Sequence, residues 1–189
     1  MTYSWSKISL ENYAAIDALN RHIPTDYLQH GVSLLSLATG ESEAHFMELP
    51  LSKLQKQIIE LTEFLQKEIR EKLYRKFRCG GRQFRLVCIS MDEIKGKHIE
   101  AVSILKITPE NLASNCPKIM ASITEEYNLF FRKPLSFDRK VELFSKHLPA
   151  SIGMGTCLFF WHVSNALQPV MVSYLQKQNQ KLKEMIHQN

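Results

Sequence analysis

Apolar residues recur along most of this chain at three- and four-residue intervals, the spacing that gathers them on one side of an α-helix. Leu10, Tyr13, Ile16 and Leu19 follow Ser9, whose hydroxyl suits a helix N-cap. A second run, Leu28, Val32, Leu34, Leu35 and Leu37, opens at Pro24-Thr25-Asp26 and stops at Gly40. A third opens at Pro50 and carries a stripe of Leu51, Leu54, Ile58, Leu61, Leu65 and Ile69. This stripe predicts a helix reaching about Glu71.

The period then changes from helical to alternating. Tyr74 to Cys79, Gly80-Gly81, and Arg82 to Ser90 predict a β-hairpin, because a two-residue hairpin turn needs the positive φ angles that glycine adopts freely. An isolated hairpin is only marginally stable, so this one must pack on helices or pair with another strand.

Helical spacing resumes near Glu93 with Ile94, Ile99, Val102 and Leu105. Pro109 and Pro117 read as first-turn residues of short helices. Ser136-Phe137-Asp138 caps a segment through Val141, Leu143, Phe144 and Leu148; Pro149 opens a strongly apolar helix, and Pro169 opens or kinks the last one. An internal echo crosses the hairpin. The gaps of Ile8, Tyr13, Ile16 and Leu19 recur at Ile94, Ile99, Val102 and Leu105, Leu34–Leu37 resembles Met120–Ile123, and Leu49-Pro50 resembles Leu148-Pro149. The expected fold is mainly α: two pseudo-repeated helical halves, 1–73 and 91–189, joined by a basic hairpin at 74–90 in one compact unit.

Charge sharpens this picture. Residues 67–85 hold eight basic side chains (Lys67, Arg70, Lys72, Arg75, Lys76, Arg78, Arg82, Arg85) and two acidic ones, Glu68 and Glu71. That segment is therefore +6 in a chain of net +5, and the remainder sums to −1. Three roles fit a basic hairpin. It can be a solvated edge that discourages strand pairing. It can meet an acidic protein surface. It can meet phosphate, since Tyr74, Phe77 and Phe84 interleave with the cations as in base-stacking platforms. The solvated edge is the default; of the two functional roles the protein-partner one is preferred, with Arg75, Lys76, Arg78, Arg82, Arg85 and Phe84 as the contact residues, and a nucleic-acid-binding helical protein is the alternative.

Catalytic signatures are missing from the sequence: there is no H-E-x-x-H, G-x-S-x-G, P-loop or strand-linked G-x-G-x-x-G. Gly153-Met154-Gly155 falls in an expected helix, where it permits close packing. Cys79, Cys88, Cys116 and Cys157 form no C-x2-C pair and read as reduced thiols, so no metal or cofactor is expected. Residues 149–176 contain no Asp, Glu, Lys or Arg, a span long enough for a bilayer. His162, Ser164, Asn165, Gln168 and Pro169 interrupt it, which favours a buried helix or an oligomer interface over a membrane span.

A set of segments carries a family likeness. Trp5-Ser6-Lys7-Ile8-Ser9-Leu10-Glu11-Asn12-Tyr13 leads, followed by Val32-Ser33-Leu34-Leu35-Ser36-Leu37-Ala38-Thr39-Gly40 and by Leu49-Pro50-Leu51; Leu148-Pro149-Ala150-Ser151-Ile152-Gly153-Met154-Gly155-Thr156-Cys157-Leu158-Phe159-Phe160 closes. In layout the chain resembles the small tail-assembly or baseplate-assembly chaperones of tailed bacteriophages and related virion proteins. The resemblance implies a non-enzymatic partner of a tail or virion protein, such as a tape-measure-like or baseplate component, in the host cytoplasm or the virion interior. The opening residues lack the basic-then-apolar layout of a signal peptide, in line with that location.

Overall fold

The computed structural model describes residues 3–87, 107–127, 133–163 and 165. Its helices are α1 (Leu10–Asn20), α2 (Tyr27–Thr39), α3 (Glu43–Met47), α4 (Leu51–Leu65), α5 (Leu112–Ile123), α6 (Phe137–His147) and α7 (150–163). Its strands are β1 (Lys76–Cys79), β2 (Arg82–Leu86) and β3 (Thr124–Glu126), one antiparallel sheet in the order β1-β2-β3. The protein is mainly α with a small sheet.

Side-chain caps set the helix starts. Ser9 Oγ accepts from the Asn12 N–H at 3.2 Å, and Asp26 Oδ1 accepts from Leu28 and Gln29 at 2.9 and 3.0 Å. Ser42 and Ser136 cap α3 and α6 in the same way, each occupying one of the donors that a helix N-terminus leaves unpaired. At the other end of α5, Lys140 Nζ donates to the carbonyls of Ala121 and Thr124 at 2.8 and 3.0 Å. Burial lowers the pKa of this ammonium, against the pull of Glu126 and Glu125.

Four elements depart from the sequence expectation. The helix expected to reach Glu71 stops at Leu65, because tertiary partners take over the backbone beyond it. Trp5 Nε1 donates to Lys67 O at 3.1 Å, the Lys72 N–H donates to Gly155 O at 3.2 Å, and Ile69 and Leu73 pack on a different core from α4. Pro117 starts no helix; it lies inside α5, where its missing N–H leaves the Ala113 carbonyl without its usual donor. The short helix α3 and the strand β3 were not anticipated. The expected helices near 93–105 and beyond Pro169, and the last expected hairpin residues, 88–90, lie outside the described residues.

Two apolar cores meet at α1. Ile8, Ile16, Val32, Leu35, Phe46, Leu54 and Leu61 form one. Leu10 joins the other, with the sheet, α5, α6 and α7. Main-chain bonds tie the same junction: the Leu10 N–H donates to Leu148 O at 3.1 Å and the Ala150 N–H to Ile8 O at 2.8 Å, flanking an antiparallel bridge between Ser9 and Pro149. Of the internal echo, Leu34–Leu37 and Met120–Ile123 both lie in helices, and both Leu-Pro pairs precede one; the matched segment 94–105 lies outside the described residues.

Candidate functional site

The hairpin closes on Gly80 and Gly81, with φ of +54° and +71°, so both turn residues occupy the left-handed region that a tight type I′ turn requires. Lys76 faces Arg85, Phe77 faces Phe84, Arg78 faces Gln83 and Cys79 faces Arg82. Because side chains alternate along a strand, this register sorts the hairpin into two faces. Phe77, Cys79, Phe84 and Leu86 are buried, while Lys76, Arg78 and Arg85 are exposed.

The inner face is an aromatic cluster. Phe84 is fully buried, stacked on Phe77 at 5.7 Å between ring centroids and edge-on to Phe144 of α6 at 4.7 Å. Phe84 therefore belongs to the core, and its expected role as a contact residue is corrected: alternation from the exposed Arg85 turns it inward. Burial of each such ring contributes about 2 to 3 kcal/mol, which anchors a hairpin too small to stand alone.

The expected cations divide according to whether β3 reaches them. Arg82 Nη1 lies 2.6 Å from Glu126 Oε2, whose side chain is only 4% exposed; Glu126 also accepts the Leu135 N–H at 2.7 Å through Oε1. Arg85 pairs with Glu125 at 2.6 Å, an exposed couple directly across the β2–β3 register. Lys76 Nζ reaches across the sheet to within 5.5 Å of the Tyr127 ring centroid. Arg75 and Arg78 have no side-chain partner among the described residues and are exposed. The five basic residues thus lie on one hairpin, yet only Arg75, Lys76 and Arg78 remain without a carboxylate.

Sequence reasoning did not find Glu125, Glu126 and Tyr127, which complete this surface. One signal was present: Thr124-Glu125-Glu126-Tyr127 places two acids between a β-branched and an aromatic residue, a strand-like composition beside a hairpin short of negative charge.

A second concave region lies between α1, the 66–71 segment and α7. It is an open cleft of about 690 Å³ lined by Trp5, Tyr13, Asp17, Met154 and His162 among others. Two side chains of its lining have near partners: Asp17 pairs with Arg21 at 2.8 Å, and Glu71 Oε2 lies 2.8 Å from His162 Nδ1. Gly155 allows this wall to close, since a Cβ there would lie 3.0 Å from Arg70 O; Gly153 admits Leu10 in the same manner. Among the described residues no group of three or more His, Cys, Asp or Glu is placed to hold a metal ion, and no helix is long and apolar enough to cross a membrane. Comparison with protein-family models, with curated proteins and with solved structures finds no match to this chain.

Proposed function

We propose that this chain is a non-catalytic binding protein whose outer sheet face engages an acidic surface of a partner protein. One observation carries the reading: the hairpin turns its rings inward and leaves its uncompensated cations exposed, Lys76 and Arg78 on the outer face and Arg75 at its end. Phe77 and Phe84, two of the three aromatics that would build a base-stacking platform, are buried, whereas Arg75, Lys76 and Arg78 are exposed. What remains exposed is a small cationic patch with the half-buried Tyr127 ring beneath Lys76, suited to carboxylates. The proposed partner is a phage tail or virion protein, a tape-measure-like or baseplate component. That finer assignment rests on the layout of residues 5–13, 32–40, 49–51 and 148–160 alone.

Nucleic-acid binding is the second reading, favoured by Tyr127, a half-buried ring beneath Lys76. Titration of the wild type and of the Arg75→Gln, Lys76→Gln, Arg78→Gln triple variant with mixed-sequence duplex DNA separates the two. A protein-partner module binds the duplex weakly in both forms. Tight binding whose log-affinity falls with log salt by about 0.9 per phosphate contact, and whose slope flattens in the triple variant, would overturn the proposal. Affinity capture from phage-infected cells, comparing the same two proteins, then names the partner as the acidic protein retained only by the wild type.

A further inference from the structure

We infer that the outer edge of β1, unpaired among the described residues, receives an extended acidic segment of the partner, which adds to the sheet as a fourth strand beside Lys76 and Arg78. This rests on the acidic-partner reading above and specifies how that partner docks.

The main-chain pattern opens this edge. The Leu86 N–H donates to Arg75 O at 3.0 Å. With a two-residue turn and the Cys79–Arg82 register, this directs the main-chain groups of Arg75, Phe77 and Cys79 toward β2. Those of Lys76 and Arg78, the intervening residues, point away from it. β2 shows the complementary alternation, since Gln83 O accepts the Tyr127 N–H at 3.1 Å on its other side. Among the described residues, β1 pairs with no strand except β2. At the far side of the sheet, by contrast, Lys140 Nζ already occupies the Thr124 carbonyl.

The same two residues supply charge. Lys76 and Arg78 are exposed on the outer face, so a strand laid along β1 would meet their backbone donors and acceptors at its edge and their cations on one face. Opposite charges on neighbouring strands favour pairing and like charges oppose it. A second copy of this chain pairing edge to edge would set Lys76 and Arg78 against the same residues, so self-association through β1 is disfavoured. A segment with carboxylates at alternate positions meets no such repulsion. It gains main-chain hydrogen bonds for affinity and charge pairing for selectivity.

The test uses the full chain and a synthetic peptide, acetyl-(Val-Glu)3-amide, with acetyl-(Val-Lys)3-amide as control. Binding is read by fluorescence anisotropy, and edge occupancy by hydrogen exchange of the Lys76 and Arg78 amides. Arg78→Gln removes charge alone. Arg78→Pro also removes an N–H that β2 does not use, a change edge strands tolerate. The acidic peptide is expected to bind and to protect both amides, and Arg78→Pro to weaken it about tenfold beyond Arg78→Gln, the size of one lost hydrogen bond. Peptide binding that leaves both amides unprotected, with equal losses in the two variants, overturns strand addition and leaves the acidic-partner reading standing. Failure of the acidic peptide to bind the wild type overturns both. Amide protection is measured in the wild type, so the outcome does not depend on how well Arg78→Pro folds.

Discussion

The Sγ atoms of Cys116 and Cys157 lie 3.0 Å apart in the core, joining α5 to α7 through two buried thiols. Burial stabilises the protonated form of Cys116, and of Cys79 elsewhere in the core. Desolvation raises the Cys116 pKa well above 9.0, reinforced by its contact with Cys157, and burial alone raises that of Cys79 to about 12. A thiol must be reached and must ionise to act as a nucleophile, so Cys79, Cys116 and Cys157, all buried, should resist maleimide until the protein unfolds. The same shifts impose a pH dependence. Cys79 and Cys116 ionise near pH 9 in the unfolded chain and remain protonated there in the folded one, so the unfolded state sheds these protons first. The contribution of these thiols to stability is therefore full below pH 9 and is lost as pH rises toward about 12, the folded value of Cys79. Denaturant midpoints across that window check the sign, and Cys79→Ala should shallow the decline; a midpoint that rises with pH contradicts this account.

Phe84 and Arg78 lie one residue pair apart on β2 and β1 yet should respond very differently to substitution. Phe84→Ala removes a fully buried ring from contact with Phe77 and Phe144 and is expected to cost about 3 to 5 kcal/mol. Arg78→Gln touches only the exposed face and should stay within about 0.5 kcal/mol. Equilibrium denaturation of both variants decides; equal effects would refute the division of the hairpin into an inner and an outer face.

Adjacent carboxylates on β3 make a second contrast. Glu126 is almost fully enclosed and serves both Arg82 and the Leu135 N–H, so Glu126→Ala strands two donors and should cost about 2 to 3 kcal/mol. Glu125 and Arg85 are about half exposed, and Glu125→Ala should cost less than about 0.5 kcal/mol. Thermal unfolding of the two variants at low and high salt would show salt sensitivity only in the Glu125–Arg85 pair.

Gly155→Ala tests how the cleft wall is built. A Cβ at this position would sit 3.0 Å from Arg70 O and 3.4 Å from Lys72 O, both main-chain atoms that cannot rotate aside. The variant should lose about 1 to 3 kcal/mol as the 70–72 segment shifts outward. Loss of the His162–Glu71 contact, followed by the His162 ring resonances, would accompany it; an unperturbed His162 would show that the segment is held elsewhere.

How far the fold was legible depended on whether local or distant atoms decide each feature. Ser9, Asp26 and Ser136 cap their helices through bonds to residues two or three positions away, and Gly80-Gly81 shapes a turn from its own torsions, so these were readable. The end of α4 is settled by Trp5 and Gly155, far away along the chain, and its apolar stripe continued past the true stop. The short strand β3 exists only because β2 lies beside it. The basic cluster was visible as charge, but which cations stay free was not. That depends on Glu125 and Glu126, which meet Arg85 and Arg82 only in the folded chain.

The pairing of Arg85 with Glu125 spans 40 residues of chain, and this separation has a consequence in time. During synthesis the hairpin is complete well before the residues of β3 have been joined to it. At translation rates of about 5 to 20 residues per second, the interval lasts roughly 2 to 8 s. For those seconds Arg82 and Arg85 are without their carboxylates, and the nascent chain carries a more cationic segment than the finished protein exposes. Arrival of two glutamates ends that interval, so the order of synthesis confines the strongest basic character of this molecule to the earliest moments of its life.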